Sequence, residues 1–312
     1  MVALQNFITH TLHGVQYGFI LFLIASGLTI ILGILDVLNL AHGELFALGA
    51  YVSFSVLGYL TGLVGSPTDP ASQAIFLVLV LAGAVIAALV LVPVGVLLES
   101  TLFRPIYERD EVYQLVLTFG LLLIIKDFNK LVWGPSPRRI QGVYSGINSI
   151  PVAKFVGLTY PTYNVVVIAV GAVVVVGLFW FFDRTKTGRI IRATAIDREM
   201  ATAIGVNTER TFTLVFALGA FFAGFAGAMA LPQSFASLEM GANPLVLSFV
   251  VIVIGGLGSL QGAFVAALLV GLLSKWATWQ VPALELAAPF AIMALVLLVK
   301  PEGLFGTWGE TE

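Results

Sequence analysis

Asp183 to Arg210 reads DRTKTGRIIRATAIDREMATAIGVNTER, the one long polar interruption in the later part of a chain otherwise built of apolar blocks. Thr194 stands three residues before Asp197, the spacing at which a hydroxyl caps a helix start and a carboxylate reaches back to it. Gly205 falls where such a helix would stop, because glycine takes the left-handed conformation without strain, and Val206 follows as the apolar residue that packs back on the last turn. The spacing predicts a short helix over Ala195–Ile204, about 15 Å long at the usual rise. Ile196, Met200, Ala203 and Ile204 form one stripe of it, with Asp197, Arg198 and Glu199 largely off that stripe. A helix of this kind between two membrane spans offers an apolar face to something outside the bilayer. The plainer alternative is a solvated loop whose charges only set topology.

The blocks on either side fix the class. Of 312 residues, 59% are hydrophobic and 10% charged, and mean hydropathy is +1.02; soluble domains carry roughly 25% charged residues. Runs of about 20 apolar residues fit membrane helices rather than the alternating segments of an outer-membrane barrel. The expected fold is all-α: one polytopic transmembrane domain over 1–312, about 8 to 10 membrane helices including broken or re-entrant segments, and a short cytoplasmic helix inside the loop 183–210. Glycine, at 32 residues, recurs with other small residues at the four-residue spacing that lets helices approach closely in lipid: Gly14 and Gly18, Ala223 and Gly227, Gly258 and Gly262, Ala267 and Gly271. With no cysteine there is no disulfide or thiolate site. A formal net charge of −2 argues against a nucleic-acid partner. The N-terminus lacks the basic n-region of a signal peptide, so the first apolar block is expected to stay.

Spans are expected at about Leu12–Leu35, Val37–Leu60, Gln73–Leu98 with a kink at Pro93, Val112–Trp133, Tyr163–Phe182, Phe212–Leu231, Ala263–Trp279 and Leu284–Val299. Asp127 and Lys130 are spaced to pair with each other. The second span opens on Asn39, His42, Gly43 and Glu44, polar groups that are costly at membrane depth and face a bundle interior or a water-filled path. In a regular helix Asn39 and His42 share a face and Glu44 points elsewhere; with a break at Gly43 all three converge; and the set can also lie at the membrane interface. Leu245–Ile254 is short for a span and is broken by Gly255, Gly256 and Gly258. It is either a re-entrant helix lining a cavity or a close-packing site. Asn39, His42, Glu44, Ser248, Gly255 and Gly256 are therefore the candidate translocation-path residues.

GLTIILGILDVLNLAHGELFALGAY, Gly27 to Tyr51, resembles the N-terminal signature of the branched-chain amino acid permeases of the ABC importers. VIGGLGSLQG, Val253 to Gly262, resembles their second signature, and Arg104-Pro105, Thr118-x-Gly120-Leu121 and the tail KPEGLFG, Lys300 to Gly306, also match. Glu199-Met200-Ala201, three residues, then Gly205 is similar to the Glu-Ala-Ala-x-x-x-Gly signature of importer membrane subunits, with Met for the first Ala. The downstream Ile-x-Leu-Pro is not matched at its usual spacing, which sets the chain apart from the sugar and oligopeptide branch. The resemblance implies a permease half paired with a homologous subunit, two separate ATPase subunits and an extracytoplasmic binding protein, in the inner membrane of a prokaryote. It also implies a docking helix for the ATPase, carried over here to Arg192, Thr194, Ile196, Asp197, Glu199, Met200, Ala201 and Gly205.

Six of the fifteen Lys and Arg residues lie in 183–210, so the basic bias of short loops puts that loop and the C-terminus in the cytoplasm and the N-terminus outside. No Gly-x-x-x-x-Gly-Lys-Ser/Thr loop is present. ATP is thus expected on partner subunits, with no cofactor or metal on this chain and no catalytic residues. The expected function is import of branched-chain or other hydrophobic amino acids. Urea, short amides or another small polar solute on the same scaffold is one alternative, and a standalone secondary transporter or channel is another.

Overall fold

The computed structural model describes residues 2–64, 70–107, 109–140, 142–148 and 160–306. Among them there are twelve α-helices: α1 (Val2–Leu35), α2 (His42–Val64), α3 (Pro70–Leu98), α4 (Glu111–Trp133), α5 (Val143–Asn148), α6 (Thr162–Arg184), α7 (Lys186–Ile196), α8 (Arg198–Ala203), α9 (Thr208–Ala230), α10 (Ala242–Gly255), α11 (Leu260–Gln280) and α12 (Ala287–Val299). Among the described residues, six segments are long and apolar enough to cross a membrane, namely Leu4–Leu35, His42–Gly62, Ala74–Ile106, Thr162–Arg184, Thr208–Gln233 and Leu260–Gln280. α10 and α12 are shorter apolar helices. This is the expected polytopic helical bundle. The loops expected at 61–72 and at 134–162 each lie partly outside the described residues.

Two helices form its centre. In the apolar stretches of α1 and α9, 83% and 78% of residues are buried, against 28% in α6 and 39% in α3 and α11. The outer helices turn Val78, Leu89, Ile124, Leu131, Val173 and Leu298 outward, the surface a lipid-facing helix requires. Between helices, where lipid is as apolar as leucine, contact comes from small residues. Gly14 and Gly18 of α1 meet Ala267, Gly271 and Leu272 of α11 so closely that a Cβ on Gly14 would lie 2.7 Å from the Leu272 Cα. The small-residue spacings in the sequence pair in this way, Ala267/Gly271 receiving Gly14/Gly18 and Gly227 of α9 lying on the backbone of Phe46.

Helix starts are capped by local chemistry. Thr185, Asn207 and Ser259 accept from Gly188, Arg210 and Gly262 at the heads of α7, α9 and α11. α3 carries Pro93 inside it and, past Leu98, loosens into a π turn over Glu99–Phe103 and a 3-10 turn over Arg104–Ile106. The Asp127–Lys130 pair does not form; among the described residues Lys126 pairs with Glu239 instead, because Lys126 lies toward the turn ahead of α10.

Candidate functional site

The first polar region is the start of α2. α1 ends at Leu35, Asp36 takes a left-handed φ of +57°, and residues 37–41 carry no helix. The His42 Nε2 then donates to the Ile24 carbonyl at 3.1 Å. Ile24 lies eleven residues before the end of α1, about 16 Å along its axis. The chain therefore doubles back beside α1 before α2 begins inside the bundle. This corrects the expected start at Val37: Asn39 stands outside the helix, its carbonyl receiving His42 N and its Oδ1 receiving Ala41 N at 3.1 Å. Neither a regular helix from Val37 nor a break at Gly43 is formed. Asn39, His42 and Glu44 are all buried around this start, and Asn39 Nδ2, His42 Nδ1 and Glu44 Oε2 have no hydrogen-bond partner.

α10 begins at the same place. Gly241 at its head lies on Gly43, where a Cβ would come 2.6 Å from the Gly241 carbonyl oxygen. The other candidate path residues lie further along α10. The Ser248 hydroxyl turns back to the Pro244 carbonyl at 2.6 Å. Gly255 and Gly256 sit at the far end under the C-terminal tail, whose Leu304 and Phe305 amides bond Ile254 and Gly255 at 2.8 and 3.0 Å. The structure thus brings Asn39, His42 and Glu44 together and leaves Ser248, Gly255 and Gly256 apart from them.

The second region is the 183–210 loop. In place of one helix from Ala195, there are two, α7 and α8, meeting at Asp197, whose backbone turns extended at φ −149°. Thr194 is not the cap: its hydroxyl bonds back to the Ile190 carbonyl at 2.9 Å inside α7. Asp197 caps α8 itself, accepting from Met200 N at 2.8 Å. The end is as expected. Gly205 takes φ +92°, its amide reaches Thr202 O and the Val206 amide reaches Ala201 O, both at 3.0 Å, the paired bonds of a Schellman stop. Of the apolar stripe, Ile196, Met200 and Ile204 are 81%, 59% and 72% exposed and Ala203 is exposed as well, while Ala201, off the stripe, is buried. Arg192 pairs with Asp183, and Glu199 stands exposed in the first turn of α8. Beside α7, a cleft of about 990 Å³ runs from Thr29 and Asp36 to Arg192, Arg198, Gly258 and Phe305.

Sequence reasoning passed over Glu99. In the π turn below α3 its fully buried carboxylate receives Arg104 Nη2 at 3.2 Å, Tyr107 OH at 3.3 Å and the Thr213 hydroxyl of α9 at 2.6 Å. Arg104 also reaches Glu209 at 3.2 Å. Arg198 of α8 sits 4.7 Å from the Phe212 ring centre, and Tyr107 meets the same ring edge-on. Burial first, then the Glu99 charge, pushes the Tyr107 hydroxyl far above its ordinary range, so it stays protonated and donates to Glu99. This network joins α3, α8 and α9. The signal in the sequence was an acidic residue at the end of an apolar run, followed by Arg-Pro.

Residues 11–299 match the family model described as the branched-chain amino acid transport system permease component. The chain is 28% identical over 303 residues to the LivH high-affinity branched-chain amino acid transport system permease protein of Salmonella typhimurium, with 96% of each chain covered. It is 26% identical over 309 residues to the BraD permease protein of Pseudomonas aeruginosa, covering 98% of each. It is also 26% identical to the LivM permease protein of Escherichia coli, spanning 90% of this chain and 67% of that one. No solved structure matches it. With its multi-pass bundle and a match across nearly its whole length, the chain belongs to the branched-chain amino acid transport system permease family.

Proposed function

We propose that this chain is one membrane half of an ATP-driven importer of branched-chain or other hydrophobic amino acids, and that α8 with the end of α7 is where a separate ATPase subunit docks. The observation that carries the reading is that Met200 and Ile204 stand exposed on α8 and its C-cap, a helix whose two ends are both capped, with Ile196 exposed beside them at the end of α7. Apolar side chains held rigidly outside the bundle suit the groove of a partner protein. A homologous permease half and an extracytoplasmic binding protein complete the assembly.

The same end of the bundle carries the tail, the turn after α3 and the α7–α8 loop. It holds Arg104, Arg109, Arg184, Lys186, Arg189, Arg192, Arg198, Arg210 and Lys300, nine of the fifteen basic residues. That bias supports a cytoplasmic loop and C-terminus and an N-terminus outside. Closure of the ATPase pair then pulls on α8, and the bundle switches between two arrangements. The test is Glu199→Lys in the complex reconstituted with its binding protein. Loss of substrate-stimulated ATP hydrolysis, with the permease still in the membrane, supports docking at α8; unchanged stimulation overturns it.

A further inference from the structure

α3, α6 and α12 carry no charged residue between their ends and turn valine and leucine outward. α4 differs, because Lys126, Asp127 and Lys130 lie along it. Phe119, Leu123, Lys126 and Lys130 share one stripe of that helix, turned away from the buried Thr118, Ile125 and Asn129. Within the described chain α4 packs chiefly on α2, so most of the stripe is left open. Contacts fix its depth. Lys126 pairs with Glu239, two residues ahead of Gly241, and Gly241 lies on Gly43. The adjoining His42 bonds Ile24, about 16 Å from the end of α1. With a hydrocarbon core about 30 Å thick, the pair sits near mid-membrane. The Glu239 side chain is 75% exposed there, and Phe235 and Asn243 are exposed beside it. The backbone from Ser234 to Gly241, ahead of α10, is irregular as well. Exposed charge and non-helical backbone at membrane depth are tolerated against protein or water and not against lipid.

Resting on the importer reading above, we propose that this flank, the outward stripe of α4 together with residues 235–243, is the face on which the homologous permease half packs. The patch carries both signs, Lys126 and Lys130 beside Asp127 and Glu239. Across a two-fold or pseudo-two-fold axis the same patch meets its counterpart, so a mixed-sign patch offers each charge an opposite partner on a related chain. Phe119, Leu123 and Phe235 supply the apolar contact. Ile124 and Leu131 keep a separate, lipid-facing side of the same helix. The uncharged outer helices α3, α6 and α12 are left to lipid.

The test is photo-cross-linking in membranes that hold the complete transporter. p-Benzoylphenylalanine is placed at Phe119, where it keeps the ring, and at Leu123; Val173 of α6 and Leu298 of α12, both outward-facing, carry it as controls. The adducts are identified by mass. At Phe119 or Leu123 the expected adduct is with a permease chain, either a second copy of this one or a family member, in at least tenfold higher yield than at either control. Adducts with lipid alone, with the ATPase or with the binding protein at both α4 positions overturn the assignment. A permease adduct equal or greater at Val173 or Leu298 also overturns it, while leaving the pairing itself in place. The adduct forms whether or not Glu199→Lys uncouples ATP hydrolysis, so a wrong face and a wrong docking helix give different results.

Discussion

His42 and Ile24 stand eighteen positions apart, yet the imidazole Nε2 of the first donates to the backbone carbonyl of the second at 3.1 Å. That one bond fixes the depth at which α2 begins, and with it the positions of Glu44 and Gly43. His42→Leu removes the bond and leaves the site apolar, so it is expected to lose about 1–3 kcal/mol. The measurement is the melting temperature of the purified protein in mild detergent. A melt equal to wild type would mean the bond does not hold the α2 start.

Glycines in this bundle divide by what surrounds them. A side chain at Gly227 would run into the Phe46 carbonyl, whereas nothing lies near Gly177 in α6. Gly227→Val is expected to cost at least about 1–3 kcal/mol through overpacking. Gly177→Ala is expected to gain up to about 1 kcal/mol of helix propensity. Comparing the two melts in one detergent checks both signs together.

Much of this architecture was legible because membrane helices announce themselves by length and by small residues at fixed spacing. Gly14, Gly18, Ala267 and Gly271 sit in the contacts their spacing implied. The stop at Gly205 was legible because a Gly followed by an apolar residue has few other uses. Starts were harder. Thr194 and Asp197 both satisfy the rules for a cap, and only the three-dimensional turn at Asp197 decides between them. Asn39 likewise holds the turn ahead of a helix that its neighbours' hydrophobicity would have begun earlier, its Oδ1 accepting from Ala41 N. Glu99 was illegible for a different reason: its partner Thr213 is 114 positions away, and no local pattern records such a pairing.

The cap assignment has a direct consequence. Asp197→Ala removes the acceptor for Met200 N and is expected to cost the α8 start about 1 kcal/mol. Thr194→Ala, whose hydroxyl serves only α7, leaves α8 unchanged. Amide hydrogen exchange over 200–204 distinguishes them: several-fold faster exchange in the first variant and wild-type rates in the second. Equal acceleration in both would restore Thr194 as the cap.

The Glu99 network predicts how α8 is tied to the bundle. Thr213 Oγ1 donates to the Glu99 carboxylate at 2.6 Å, and Glu99 also holds Arg104 and Tyr107. A hydrogen bond to a charged group contributes about 1.5–3 kcal/mol, so Thr213→Val, close in shape, is expected to lower stability by about that amount. Arg198 of α8 rests on Phe212, one residue before Thr213, so loosening this end of α9 also loosens the seat of α8. Raised exchange is therefore expected at the amides of 198–204, although none of them contacts Thr213 directly. Val substituted at Thr208, in the first turn of α9 and outside the network, serves as the control. If Thr213→Val and Thr208→Val change α8 exchange alike, Glu99 is a local staple at the end of α3 and carries nothing to α8.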